Sequence, residues 1–309
     1  MGETFSISAT ALTKTFGDVT AVKDLSLNIR PGEIYGFLGL NGAGKTTTIR
    51  MLLGMARPST GTVSLFGTEV KPGRHDIWQR VGYLVETPHA YPDLTVRENL
   101  DIVRKLRHLS DAGAVELIIE QLRLAQYADR KSRHLSLGNA QRLGLAKALI
   151  HHPDLLILDE PSNGLDPAGI VEIRNLLRGL AEKEGVTIFI SSHILSEVAR
   201  LATRIGVIHQ GKLLKEFQGS ELTAGERRLL ADVTKVDEAL LVLRKAGIEA
   251  TVQKQNTLMI SDSESVNHPE RIATLLVQGG SPPSRLVVEQ QDLESYFLNL
   301  VGAGAERQA

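Results

Sequence analysis

Nine consecutive residues, Gly39-Leu40-Asn41-Gly42-Ala43-Gly44-Lys45-Thr46-Thr47, limit this chain to very few folds. The glycines let the backbone close into a tight loop whose N–H groups turn onto phosphate oxygens. Lys45 is spaced to reach the β- and γ-phosphates of a nucleoside triphosphate, and the Thr46 hydroxyl to ligate Mg2+. Ile34 to Leu38, just ahead, is apolar and aromatic and reads as a buried strand. Lys45 to Gly54 reads as a helix, whose N-terminus adds a positive dipole end. Strand, glycine-rich loop and helix in that order make a phosphate-binding P-loop. Its predicted nucleotide contacts are Asn41, Gly42, Ala43, Gly44, Lys45, Thr46 and Thr47.

The rest of the chain supplies a sheet for such a loop. Short β-like runs occupy Ile7–Thr10, Val22–Ile29, Val63–Phe66 and Val81–Leu84. Residues 94–130 are helix-rich, with Leu100, Val103, Leu106, Leu117, Ile118 and Leu122 at helical spacing. Beyond them, strands at 153–158, Val186–Ile190 and Ile205–His209 alternate with an amphipathic helix through Ile170, Ile173, Leu177 and Leu180, and with a helix at Ser196–Ala202. Alternation of this kind predicts an α/β fold with a parallel sheet between helices. The composition shifts at Gly219 to Glu226, a candidate linker. Past it, strands Leu229–Val233, Ile248–Val252, Leu258–Ile260 and Arg285–Glu289, with helices ending at Gly247 and Gly279, read β-α-β-β-α-β, a small ferredoxin-like α+β arrangement. Two domains follow, 1–219 and 220–309.

A second chemical feature sits where Leu155-Leu156-Ile157-Leu158 ends in Asp159-Glu160. Only the strand end is open to ligand in such a sheet. Asp159 there is placed to hold Mg2+ together with Thr46, and Glu160 to polarise a water aimed at the γ-phosphate.

Composition narrows the partners. The 309 residues carry a formal net charge of −1 and only 4% aromatics, which argues against nucleic-acid binding by phosphate neutralisation or base stacking. There is no cysteine, so disulfides and thiolate metal sites are excluded. No apolar run approaches the ~20 residues of a membrane span, and no signal peptide is evident. The first six residues fit only the loose N-myristoylation pattern. A protein of this kind working at a membrane would be held there by a partner.

Residues 4–219 resemble the nucleotide-binding subunits of ABC transporters, with several motifs in that family's order. Leu135-Ser136-Leu137-Gly138-Asn139-Ala140-Gln141-Arg142 is similar to the family signature, whose usual core is Leu-Ser-Gly-Gly-Gln; Leu137 and Asn139 depart from it. By resemblance, Ser136 and Gly138 contact the γ-phosphate held by a second copy of the chain. Ser136 is expected to open a helix spanning 141–150. Ser162-Asn163-Gly164-Leu165-Asp166 looks like the D-loop of the dimer interface, and Asp166 before Pro167 is also a good helix cap. His193 matches the switch histidine, and Phe16 the aromatic that stacks on adenine. The resemblance implies a P-loop NTPase core, an N-terminal antiparallel β subdomain and an inserted helical subdomain at about 87–140, with the C-terminal domain accessory.

Glu86 stands where the family usually has glutamine, a contact to Mg2+ and to the attacking water. This, the Ser136-Leu137-Gly138 variant and Tyr91-Pro92-Asp93-Leu94-Thr95 resemble the branch that exports, or gives immunity to, bacitracin-type and lantibiotic peptides. The tail, Asp292-Leu293-Glu294-Ser295-Tyr296-Phe297-Leu298, is similar to the ending of subunits serving ABC-2 type exporters. The implied function is an ATPase, with catalytic residues Glu160, His193, Lys45 and Glu86 and metal contacts Thr46, Asp159 and Glu86. It would bind ATP and Mg2+, dimerise with itself or a paralogous subunit, and drive a polytopic permease from the cytoplasmic face of the membrane. The permease groove is expected near Glu86 to Tyr91, with Tyr91 and Leu94 exposed. The alternatives fit less well. Ribosome-acting relatives usually carry two cassettes, DNA-end relatives need a long insertion for which 47–135 leaves no room, and a module without turnover would not need Glu160 and His193.

Overall fold

The computed structural model describes residues 4–219 and 227–290, apart from 72, 74, 75, 87 and 255. The chain divides into two compact units, Met1–Gly219 and Ser220–Ala309.

In the first unit, β1 (Ile7–Phe16), β2 (Val19–Ile29), β3 (Ile34–Leu38) and α1 (Lys45–Leu52) are followed by β4 (Thr60–Leu65), β5 (Thr68–Glu69) and β6 (Val81–Leu84). Three helices come next, α2 (Val96–Leu106), α3 (Ala114–Gln121) and α4 (Leu137–Leu149). The unit closes with β7 (Leu155–Asp159), α5 (Pro167–Glu184), β8 (Thr187–Ser192), α6 (Leu195–Ala199), β9 (Arg204–His209) and β10 (Lys212–Gln218). The central sheet has the order β10-β9-β3-β8-β7-β6. Its strands from β9 to β6 run parallel, and β10 pairs antiparallel at the edge. Every residue of β3, β7 and β8 is buried, as a sheet covered on both faces demands. A second, antiparallel sheet, β2-β1-β4-β5, shares one core with α1 and the central sheet through residues such as Ile7, Leu25, Phe37, Ile49, Leu65 and Phe189.

The parallel register builds the site. Leu38 of β3 lies beside Ser192 of β8, and Asp159 of β7 beside Ser191. Three strand ends, with the loops that leave them, therefore open at one place.

Local chemistry explains the departures from expectation. The α4 helix starts at Leu137, not at 141, because the extended Ser136 accepts the Asn139 N–H with its hydroxyl at 3.3 Å. It also runs on to Leu149, beyond the expected end of the helical subdomain. Leu106 and Leu117 do not face a core; they are exposed, and the buried stripes are Val96 and Leu100 on α2 and Val115, Ile118 and Ile119 on α3. The α2 helix begins with a capping box. Thr95 accepts from Glu98 N, and Glu98 accepts from Thr95 N, satisfying two otherwise orphaned donors. Buried Asn99 then fixes the loop before the helix: it accepts from Tyr91 N and donates to the carbonyls of Tyr91, Leu94 and Thr95.

The second unit contains β11 (Arg227–Val233), α7 (Val236–Lys245), β12 (Ala250–Lys254), β13 (Thr257–Ile260), α8 (Ser263–Asn267), α9 (Pro269–Gln278) and β14 (Pro283–Gln290). Its antiparallel sheet, ordered β12-β13-β11-β14, is the ferredoxin-like arrangement. Leu229, Ala231, Leu243, Leu258, Ile272 and Leu276 form its core. The β12 strand starts two residues later than expected, because Ile248 N donates to Leu243 O and ends the preceding helix. The exporter-like tail 292–298 lies outside the described residues.

Candidate functional site

The loop 39–44 leaves β3 and enters α1 at Gly44, whose φ is +105°. Only glycine takes that conformation without strain. A side chain there would also stand 2.6 Å from Ala21 O of β2. The following Lys45 is buried. Its Nζ donates to Gly39 O at 2.7 Å and to Leu40 O at 3.3 Å, and pairs with Glu160 Oε1 at 3.2 Å.

One residue on, the Thr46 hydroxyl donates to Asp159 Oδ2 at 2.8 Å. The Ser191 hydroxyl donates to the other oxygen, Oδ1, at 2.5 Å. Asp159 is only 3% exposed, and among the described residues no cation pairs with it. A buried carboxylate held by two neutral hydroxyls is short of positive charge. Together with Thr46 it offers the hard oxygen donors that Mg2+ prefers, and Mg2+ commonly takes one or two carboxylates and fills its other positions with waters and phosphate oxygens. The residues present therefore fit Mg2+. Among the described residues no group of three or more His, Cys, Asp or Glu gathers for a metal cage.

Glu160 diverges from its neighbour because its backbone turns left-handed, with φ +49°. That conformation is uncommon for a residue with a side chain. It is held by Glu160 N donating to Ser191 Oγ at 3.0 Å, and by Gln141 Nε2 donating to Glu160 O at 3.3 Å. The result aims one carboxylate oxygen at Lys45 and the other at His193 Nδ1, 2.9 Å away.

Lys45, Thr46, Asp159, Glu160 and His193 thus meet in one network. Ser191 and Gln141 belong to it as well and were not singled out in the sequence. Ser191 lies two residues before His193 and stands in register with Asp159 through the pairing of β7 with β8, which neither strand reveals alone. Gln141 carried no signal beyond its place in the signature-like stretch.

The other candidates fall outside this network. Glu86, also left-handed at φ +57°, pairs with Arg50 Nη2 at 2.5 Å rather than with Thr46 or Asp159. Phe16 is exposed at the end of β1, with Lys14 Nζ 4.9 Å from its ring centre. Ser136 caps α4, and Gly138 lies against the main chain of Gly164. Asp166 Oδ1 accepts Gly169 N at 2.9 Å and caps α5, with Pro167 in its first turn. Near Glu86 a groove of about 510 Å³ is lined by Tyr83, Glu86, Val103, Leu106 and Lys147. Tyr91 is exposed beneath Lys147 Nζ, 6.0 Å from its ring centre, while Leu94 is half-buried. No helix among the described residues is long and apolar enough to cross a membrane.

A phosphate loop on a parallel sheet, with two diverging carboxylates at the end of a neighbouring strand, defines a P-loop ATPase. The family model described as ABC transporter matches residues 22–163. The bacitracin transport ATP-binding protein BcrA of Bacillus licheniformis is 40% identical over 299 residues, covering 96% of this chain and 98% of that one. BcrA of Enterococcus faecalis is 42% identical over 303 residues, 97% of each chain. A solved dimeric bacterial ABC transporter cassette superposes with a TM-score of 0.64 at 27% identity, over 69% of this chain and 98% of that one. The chain belongs to the ABC transporter family, as an ATP-binding protein.

Proposed function

We propose that this chain is the ATP-hydrolysing motor subunit of an exporter for a peptide antibiotic of the bacitracin class. The network around Glu160 carries the reading. Lys45, steadied by two carbonyls of its own loop, places a positive charge where phosphates are cradled. Glu160 accepts a proton from the attacking water and orients it. His193 fixes the rotation of that carboxylate, and Ser191 and Gln141 fix its backbone. Thr46 and Asp159 hold Mg2+, which when bound neutralises charge on the phosphate oxygens.

Two copies, or this chain and a paralogue, pair head to tail, so that Ser136 and Gly138 of one face the phosphates held by the other. Phe16 stacks on adenine, which its exposure permits. The groove beside Glu86 receives a separate polytopic membrane subunit, which holds the ATPase at the cytoplasmic face. The second unit is accessory. The bacitracin relatives align along nearly the whole chain, which supports the cargo class.

The test is phosphate release by the purified chain with ATP and Mg2+, beside Glu160→Gln. Turnover should require Mg2+ and fall by about 10²-fold or more in the variant, while a fluorescent trinitrophenyl-ATP still binds. Equal turnover in the two proteins would overturn the assignment of Glu160. For cargo, cells carrying the chain with its membrane subunit should survive bacitracin better than cells carrying Glu160→Gln.

A further inference from the structure

We infer that Leu137 is a positioning residue. It sets the spacing between the signature turn and the loop after Glu160, with Gly164 as its seat. The inference rests on the function proposed above.

Leu137 departs from the family signature, and the structure shows where its bulk goes. The residue opens α4 and is 60% exposed, so ordinary core packing does not require it. Its side chain nevertheless lies directly over Gly164. A Cβ built on Gly164 would stand 2.4 Å from both Cγ and Cδ2 of Leu137. Real Cβ atoms do not come so close, so a side chain on residue 164 would push the leucine out of this position. The next residue repeats the demand: a Cβ on Gly138 would be 2.9 Å from Gly164 O. Gly164 also has φ +77°, a conformation that favours glycine independently.

Both partners are tied to Glu160. On one side, Asn163 N donates to Glu160 O at 3.1 Å and Leu165 N to Ser162 O at 3.2 Å, so the loop carrying Gly164 is anchored at the carboxylate's own backbone. On the other, α4 carries Ser136 at its cap and reaches Glu160 O through Gln141. Leu137 on Gly164 closes the ring. An apolar knob on a bare α-carbon supplies no charge and no hydrogen bond; what it fixes is distance. In the proposed dimer, Ser136 addresses one nucleotide and Glu160 the other, so the contact sets how far apart those two duties are held within one chain.

The test uses the purified full chain and reads ATP turnover, trinitrophenyl-ATP binding and melting temperature. Leu137→Ala should lower kcat at least about fivefold with binding and melting temperature unchanged, since a displacement near 1 Å costs up to about a hundredfold. Gly164→Ala should lower kcat further. Leu137→Ala/Gly164→Ala should recover part of that loss, because the new methyl occupies the space the leucine left. A merely structural role would lower the melting temperature and give no rescue. Full turnover in Leu137→Ala overturns the inference, and so does a double variant no better than a folded Gly164→Ala. Should Gly164→Ala not fold, Leu137→Ala decides alone. Absence of binding and turnover in the unaltered chain would instead overturn the functional reading, and the inference with it.

Discussion

Glu160 is shared between Lys45 and His193: its Oε1 lies 3.2 Å from Lys45 Nζ and its Oε2 2.9 Å from His193 Nδ1. One carboxylate is thereby held at both ends, by the phosphate loop and by the turn after β8. A side chain restrained this way presents a fixed lone pair to a water, which is what a general base needs.

His193→Ala should therefore impair turnover without impairing binding. The P-loop and Lys45 are untouched, so affinity for trinitrophenyl-ATP should stay within about threefold, while kcat falls on the order of 10²-fold. A stopped assay of phosphate release checks this. A variant with wild-type kcat would show that Glu160 needs no support from His193.

Asp159→Asn should separate metal affinity from fold stability. Losing the carboxylate should raise the Mg2+ concentration for half-maximal turnover by about tenfold or more. Because Asp159 is buried with only hydroxyl partners, the metal-free protein should melt no lower, since the amide puts no unpaired charge in its interior. Magnesium titration and thermal melting in chelator read the two effects. A lower melting temperature would refute the second expectation.

Glu86→Gln tests the residue that departs most from the family pattern. Its pair with Arg50 is half exposed, and such pairs contribute about 1 kcal/mol or less, so the fold should be unaffected. Basal ATP turnover should rise, because a negative charge is removed from the loop that leaves β6, the strand paired with β7. Unchanged rates, both basal and in the presence of the membrane subunit, would remove Glu86 from the mechanism.

His151 predicts a pH dependence of stability. Burial, with the positive Arg107 beside it, depresses its pKa from 6.5 to about 4, and its Nε2–H donates to Val81 O, 3.1 Å away. The unfolded chain therefore binds this proton more readily than the folded one. The neutral ring's contribution is complete above pH 6.5 and is lost as pH falls from 6.5 toward about 4. His151→Gln should flatten the melting temperature across that window. A slope equal to wild type would assign acid lability elsewhere.

Much of this was legible in the sequence because strand ends and glycine spacing are local. The P-loop, the apolar run into Asp159-Glu160 and the Asp166-Pro167 cap each depend on neighbours within a few residues, and the structure has the strand, helix and cap there. The β-α-β-β-α-β order of the second unit was readable for the same reason. What escaped depends on register. That Ser191 reaches Asp159 follows from the parallel pairing of β7 with β8, which no single segment announces. The Arg50 partner of Glu86 is 36 residues away in sequence. The seat of Leu137 on Gly164 joins a helix start to a loop, and the signature stretch by itself does not announce that neighbour.

The close approach of Gly44 to Ala21 O has a consequence for sequence drift. The phosphate loop is moulded against a main-chain oxygen of the small antiparallel sheet, not against a side chain. The demand that Gly44 meets at residue 21 is thus on the main chain, and an insertion or deletion in β2 would move the mould. A chimera that exchanges β2 alone with that of a relative should keep its grip on nucleotide only when strand length, rather than strand composition, is preserved.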